Sequence, residues 1–221
     1  MTSTKIAIAI DGPAASGKSS TAKAVAKQLG YRHVDSGSLY RAATAARLRR
    51  DTDSANWTED SVLDAARIVT LSPIENGFVP LLNGRPADDE MRGEAVTHRV
   101  SLVAKMPRVR EWVNSQVRNA GRGYDVVVDG RDIGTVVFPK AKLKIFLVAD
   151  AEERARRRVL ERTGRAPTEE EIFDETARIM LRDELDAAQS VKAADAVTID
   201  TTQLSQAEQI EKIVELAGHL V

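Results

Sequence analysis

Apolar and polar positions along this chain switch repeatedly between two periods. Ile6-Ala7-Ile8-Ala9-Ile10, Asp125-Val126-Val127-Val128-Asp129 and Leu143-Lys144-Ile145-Phe146-Leu147-Val148 are short runs dominated by apolar, mostly β-branched residues. Such runs, bounded by turn residues, predict strands buried on both faces of a parallel sheet. Arg32-His33-Val34 and Ala196-Val197-Thr198-Ile199-Asp200 are shorter strand candidates. Between them the spacing lengthens to a helical one. Helices are predicted at Thr21 to Leu29, Ser38 to Arg50, Asp60 to Val69, Pro107 to Asn119, Ala151 to Arg162, Thr168 to Ala188 and Ser205 to His219. Thr168-Glu169-Glu170-Glu171 starts one of these as a capping box, the hydroxyl and the carboxylate each taking a backbone donor. Strands alternating with helices predict an α/β fold with a doubly wound parallel sheet.

One stretch breaks the alternation. Thr70 to Ile74 and Val79 to Arg85 are strand-like, and Asn83-Gly84 is a hairpin signal. Residues 70 to 86 are therefore expected to form a small antiparallel sheet within an insert at about 68–100. The expected organisation is a single domain over 1–221. Its core comprises 1–67, 101–150 and 191–221, with the insert at about 68–100 and a helical region at about 151–190.

Composition narrows the chemistry. Hydrophobic residues make up 43% of the 221, so a folded core is expected. A formal net charge of −1 with only 4% aromatic residues argues against nucleic acid or an anionic membrane as partner. The absence of cysteine excludes disulfides and thiolate metal sites and fits a reducing compartment. Five apolar residues before Asp11 are too few for a signal peptide or a membrane span, so a cytoplasmic location is expected.

Gly12-Pro13-Ala14-Ala15-Ser16-Gly17-Lys18-Ser19-Ser20 follows the first strand and opens the first helix. That context turns a glycine-rich string into a phosphate-binding loop. Its backbone N–H groups and the helix dipole can face phosphate oxygens, Lys18 can reach the β- and γ-phosphates, and the Ser19 hydroxyl can ligate Mg²⁺. A nucleoside triphosphate, with ATP as donor, is the expected ligand.

Arginines then separate the classes of nucleotide-binding protein. Phosphoryl transfer needs cations over the transferring group and needs water kept out. Arg154, Arg158, Arg162 and Arg165 fall near one face of the helix that follows Val148, with Gly164 as a hinge. A solvated face paired with Glu152, Glu153 and Glu161 is the plainer reading of the same helix. No Asn-Lys-x-Asp occurs to read guanine, so a small phosphotransferase is expected over a GTPase, and Arg154 and Arg158 join the ATP site as lid cations.

Further blocks resemble those of bacterial cytidylate kinases. They are Asp35-Ser36-Gly37-Ser38-Leu39-Tyr40-Arg41, Met106-Pro107-Arg108-Val109-Arg110, Asp129-Gly130-Arg131-Asp132-Ile133-Gly134-Thr135-Val136-Val137-Phe138-Pro139, Arg182-Asp183-Glu184-Leu185-Asp186, and Asp195-Ala196 with Asp200-Thr201-Thr202. With the phosphate loop they run end to end in the family's order. The resemblance implies a monomeric enzyme that passes the γ-phosphoryl of ATP to CMP or dCMP, with 68–100 as the NMP-binding insert. It places Ser36, Ser101, Arg110 and Asp132 at the base, Arg41 and Arg131 on the acceptor phosphate as catalytic cations with Lys18, and Arg182 and Asp186 near sugar and phosphate. Asp129 stands where a carboxylate supports Mg²⁺ with Ser19, or holds the turn after its strand. Arg41 as a helix cap and Asp132 as a partner of Arg131 are the competing structural roles. Many members carry a further arginine at the position of Gln189. An adenylate, uridylate or shikimate kinase and a non-catalytic nucleotide sensor are the alternatives.

Overall fold

The arrangement of the chain follows from where its apolar runs are buried. A computed structural model describes residues 5–218. Strands β1 (Ala7–Asp11), β2 (Arg32–Asp35), β3 (Val69–Ile74), β4 (Gly77–Leu82), β5 (Val126–Gly130), β6 (Leu143–Val148) and β7 (Val197–Asp200) form one sheet in the order β3-β4-β2-β5-β1-β6-β7. Strands β2, β5, β1, β6 and β7 run parallel, and every residue of the central β5 is buried.

Alternation of side chains across the pleat divides the core in two. Val127, Ile8, Ile10, Ile145 and Leu147 pack with Val25 of α1 (Lys18–Leu29) and Ile213 of α9 (Gln206–Gly218). Val126, Val128, Ala9 and Val34 face the other way. They meet Leu39 of α2 (Ser36–Leu48), Val62 of α3 (Glu59–Ala65), and Val113 and Val117 of α6 (Pro107–Gly123).

The antiparallel pair is β3 with β4, as expected, but its turn is Glu75-Asn76. Asn83 and Gly84, at φ 51° and 73°, form a second tight turn that closes only the Leu82–Arg85 bridge. The pair is also joined to the main sheet, through His33 opposite Gly77. A β-carbon on Gly77 would lie 2.7 Å from the His33 carbonyl oxygen, so glycine is what lets the strands approach. The helix expected to reach Val69 stops at Ala65, and a 3-10 turn leads directly into β3.

Two short helices complete the insert, α4 (Asp88–Arg92) and α5 (Glu94–Ala104), packed through Met91 and Val96 on the alanine face of α2. Helices α7 (Ala151–Thr163) and α8 (Glu169–Asp186) form a hairpin with a small core of its own, Ala155, Ile172 and Ile179, against which Ala15 packs. The predicted capping box at Thr168 and Glu171 is present. Helix α8 ends at Asp186, and Ala187–Gln189 is a 3-10 turn. The expected end of the last helix at His219 lies outside the described residues. Loops after the carboxyl ends of β1, β2 and β5 gather at one edge of the sheet, where open α/β sheets bind ligands.

Candidate active site

Gly12, Ala15 and Gly17 take left-handed or otherwise positive φ values of 150°, 56° and 84°, and these wrap residues 12–17 around the start of α1. A β-carbon on Gly12 would sit 2.2 Å from the Leu147 carbonyl oxygen. Gly17 occupies the N-cap of α1 and has no side chain to satisfy the first-turn amides, which leaves that end suited to an anion. Lys18 is buried, with Nζ donating to the Pro13 carbonyl (2.6 Å) and to Ser16 Oγ (3.4 Å). Burial, then the charge of Arg131, pushes its ammonium well below the usual lysine range, against the pull of Asp129 and Asp11. A phosphate group at this loop would reverse that balance. Ser20 Oγ donates to the Gly17 carbonyl and so fastens the loop itself.

Ser19 Oγ, on α1, donates to Asp129 Oδ2 on β5 (2.5 Å), which joins the two predicted metal-supporting groups. The other oxygen, Oδ1, lies 2.6 Å from His33 Nε2. Burial works against the Asp129 anion, but the His33 hydrogen bond and charge, with Ser19 and Lys18, hold its pKa below the usual value. Burial likewise opposes the imidazolium, and the Asp129 contact outweighs it, so His33 is raised.

Arg131 and Arg182 meet at Asp186. Arg131 donates from Nε (3.3 Å) and Nη2 (3.2 Å) to Asp186 Oδ2, and from Nη1 to the Gly12 carbonyl (3.2 Å). Arg182 Nε is 3.6 Å from the same carboxylate oxygen, beyond hydrogen-bonding distance, and is buried with no hydrogen-bond partner. Its pKa is pushed down to about 10 by burial and then by Arg131, with Asp186 opposing and Arg41 and Arg158 adding like charge. Arg41 donates from Nη1 to the Met91 carbonyl (3.1 Å) and to Thr97 Oγ1 (3.0 Å), both in the insert, and caps no helix of its own. Burial, then Arg92 and Arg158, lower its pKa against Asp35. Arg131, Arg41 and Arg158 thus each repel Arg182 at a partly buried place, an arrangement that a dianion would stabilise.

Asp132 does not pair with Arg131. Its Oδ2 accepts from Arg110 Nη2 (2.5 Å), and Arg110 Nη1 donates to the Ala104 carbonyl (3.1 Å). The Arg110 guanidinium lies 6.0 Å from the Tyr40 ring centre. Ser36 Oγ donates to the Asp129 carbonyl (2.8 Å), which leaves its lone pairs directed elsewhere; a β-carbon on Gly130 would fall 2.6 Å from that oxygen. Ser101 stands on α5 one turn before Ala104. Its hydroxyl makes none of the hydrogen bonds found among the described residues.

The lid arginines divide. Arg154 is buried against the phosphate loop, donating to the carbonyls of Ala149 (3.0 Å) and Ala14 (3.0 Å) and to Asp183 Oδ2 (2.6 Å). Asp183 Oδ1 accepts from the Ala14 amide (3.2 Å), so this pair ties α8 and α7 to the loop. Arg158, expected beside Arg154 at the ATP loop, instead reaches Glu175 Oε1 (3.1 Å) and stands within the field of Arg41 and Arg182. Arg162 also meets Glu175, and Arg165 meets Glu171.

The Cytidylate kinase sequence profile matches residues 8–219. The chain belongs to the cytidylate kinase family. The cytidylate kinase of Geobacillus kaustophilus (strain HTA426) is 46% identical over 225 residues, 98% of each chain. That of Geobacillus thermodenitrificans (strain NG80-2) is 43% identical over 222 residues, again 98% of each. Among solved structures, a gluconokinase from Sinorhizobium meliloti 1021 aligns with a TM-score of 0.49 and 14% identity, over 98% of this chain and 94% of that one.

Sequence reading alone missed several groups at this family's site. His33, Asp183, Glu175 and Thr97 each hold a predicted residue in place, yet each is distant from it in sequence or on another element. His33 carried a signal as a polar residue within a strand, and Asp183 as a member of the Arg182–Asp186 block, though without a role assigned to it.

Proposed function

We infer that this chain transfers the γ-phosphoryl group of ATP to CMP or dCMP, giving ADP and CDP or dCDP. The observation that supports this best is the pairing of two neighbouring features. One is a set of guanidinium groups whose Arg182 Nε is buried and unpartnered; the other is the Arg110–Asp132 pair. A nucleoside monophosphate offers a dianion to the first and a base edge to the second.

Cytosine carries an exocyclic amine donor beside a ring nitrogen and a carbonyl, both acceptors. Asp132 accepts from the amine, Arg110 and Ser101 donate to the acceptors, and Ser36 presents lone pairs from the same side. Uracil would turn a donor and an acceptor the wrong way, at about 1–3 kcal/mol for each unmatched buried group. Arg41, Arg131 and Arg182 hold the acceptor phosphate, with Asp186 fixing the last two and accepting from a ribose hydroxyl. Gln189 adds no charge there, and Arg158 supplies the additional cation. On the donor side, residues 12–20 and Lys18 enclose the ATP phosphates, with Arg154 joining the lid to that loop.

Ser19 and Asp129 suit Mg²⁺: a hydroxyl and an ionised carboxylate already face each other, and among the described residues no cluster of three or more acidic, histidine or cysteine side chains forms a protein cage. Mg²⁺ typically takes one or two protein oxygens and completes its shell with phosphates and water. It would neutralise charge on the β- and γ-phosphates. The chain's own residues bring the acceptor oxygen in line with the γ-phosphorus and exclude water. A general base is unnecessary because the attacking oxygen belongs to a phosphate that is already anionic.

The residues assigned to both phosphate sites come from one chain, which supports a monomer as the active unit. No helix among the described residues is long and apolar enough to cross a membrane. The cysteine-free composition supports a reducing compartment such as the cytoplasm. A coupled ADP-release assay across CMP, dCMP, UMP, AMP and shikimate tests the assignment. CMP or dCMP should be preferred by at least tenfold; preference for any other acceptor, or ATP binding without acceptor-dependent ADP release, rejects it.

A further inference from the structure

Asp132 stands at a position where an aspartate ordinarily does something else. It is the N-cap of a single helical turn, Ile133–Val137, and N-cap aspartates usually fold back to accept from the second or third amide of their own helix. Here the Asp132 side chain makes no capping bond. Its backbone carbonyl accepts from Val136 N (2.8 Å), and its carboxylate turns outward to Arg110.

The capping is done from another strand. Asp11, the last residue of β1, accepts from Ile133 N at Oδ1 and from Gly134 N at Oδ2, both at 2.8 Å. These are the first two amides of the turn. Asp11 is 3% exposed, so both hydrogen bonds are shielded from water. Gly134 permits the approach: a β-carbon there would already lie 3.4 Å from Asp11 Oδ2 and 3.2 Å from Lys144 Cδ. The neighbouring residue ties the same segment from the other side, since the Gly12 carbonyl accepts from Arg131 Nη1.

We propose that Asp11 is a positioning residue that caps the 133–137 turn in place of Asp132, and so keeps the Asp132 carboxylate outside its own helix and available to the base. This deepens the cytosine-recognition reading and rests on it for its functional consequence. Without Asp11, the amides of Ile133 and Gly134 lose their acceptors in a buried place. The Asp132 carboxylate is then the adjacent group able to satisfy Gly134, and it would leave Arg110 and the base to do so. The last residue of β1 and the first residue of the donor loop would thereby set selectivity at the acceptor site.

The test is a double-mutant cycle of Asp11→Asn with Asp132→Ala, read as KM for CMP, kcat, and preference for CMP over UMP. Asparagine keeps the shape but offers one acceptor oxygen, and its amide nitrogen faces a backbone donor. Asp11→Asn should raise KM for CMP about tenfold and erode the preference for CMP, with KM for ATP within about twofold. In the Asp132→Ala background it should add less than about twofold. An effect of full size in that background, or an unchanged base preference in the single variant, overturns the proposal. Hydrogen exchange gives a readout independent of the base assignment. The Ile133 and Gly134 amides should exchange faster in Asp11→Asn, and equal protection refutes the capping role. Asp11→Ser is the second variant if Asp11→Asn does not fold. If Asp132→Ala alone leaves base preference intact, the cytosine reading fails, and the exchange result still decides the capping of the turn.

Discussion

The phosphate-facing end of the sheet and the α7–α8 hairpin both carry many charges, but they treat them in opposite ways. At the sheet, a buried cation is left short of partners: Lys18 reaches only neutral oxygens. Arg182, which comes from α8 where the hairpin meets this site, likewise has an Nε without a hydrogen bond. On the hairpin, each arginine that points from α7 has a carboxylate: Arg154 with Asp183, Arg156 with Glu152, Arg157 with Glu153, Arg158 and Arg162 with Glu175. Ala155, Ile172 and Ile179 form a small buried cluster of the hairpin's own, while Phe173, Met180 and Leu181 are exposed. On the proposed function, a phosphate would relieve the repulsion at the sheet, whereas on the hairpin it would have to displace a carboxylate. The sheet end would then act as a fixed field, and the hairpin as a cover whose cations are shared with its own acids.

The most severe way to break this contrast is to remove a fixed cation. Lys18→Ala should lower kcat by about 10³-fold, the scale expected for losing one preorganised charge at the transferring group. It should leave the melting temperature unchanged or higher, because a buried ammonium with no anionic partner is gone. Steady-state kinetics and thermal unfolding together check both halves. A variant with near-normal turnover would remove Lys18 from the phosphate site.

Acid separates the two regions by sign. Asp11 is pushed up to about 6, by burial first, with Asp132 adding to the shift and the Ile133 and Gly134 amides and Lys18 opposing it. The native state therefore holds an extra proton between about pH 4 and pH 6. Stability from this group is greatest below pH 4 and is lost as pH rises through 6. The stability of the wild type relative to Asp11→Asn should fall by up to about 3 kcal/mol from pH 3.5 to pH 7. Glu171 on the hairpin behaves oppositely. The Arg165 hydrogen bond, then that of the Thr168 amide, holds it down to about 2, so its contribution is present at neutral pH and is lost as pH falls through that value. Denaturant unfolding of the two proteins across this range measures the first effect; an unchanged difference would show that Asp11 does not titrate in the window.

A smaller effect is expected at the base. Asp132→Ala should raise KM for CMP by about 10- to 100-fold and narrow the gap to UMP, with kcat for saturating CMP much less affected. Equal CMP-to-UMP ratios in variant and wild type would take Asp132 out of the recognition set.

What was legible in the sequence follows the same division. The phosphate loop could be read directly because its requirements are local: positive φ at Gly12 and Gly17, a lysine, a hydroxyl, and a helix that starts there. Contacts made across the sheet could not be read. Asp11 to Gly134 spans 123 positions and Asp183 to Ala14 spans 169, and each depends on the strand order placing β1 between β5 and β6. The turn at 133–137 was equally hidden. Ile133-Gly134-Thr135-Val136-Val137 is β-branched and strand-like by composition, and it becomes helical where a distant carboxylate takes its first amides. Helices α4 and α5 were missed for a simpler reason. Gly93 interrupts their period after five residues, and the apolar face they share is completed by the alanines of α2.

The mildest perturbation tests whether the hairpin's cations are as exchangeable as the comparison requires. The Glu175 side chain is 3% exposed and faces Arg158, Arg162 and Arg178 at 3.1, 3.3 and 3.4 Å. Glu175→Gln keeps the side-chain shape and removes the charge that those arginines share. Because their own side chains are 28%, 54% and 66% exposed, water screens much of the loss, and about 1 kcal/mol of local stability is at stake. Hydrogen exchange should therefore quicken in α7 and α8 and remain unchanged in β1, β5 and β6. Arg158, freed from its carboxylate, would still find phosphate when the site is filled, so kcat/KM should change by less than about fivefold. A loss comparable to that of Lys18→Ala would mean that the hairpin is as fixed as the sheet, and that Glu175 holds Arg158 in its working position instead of competing for it.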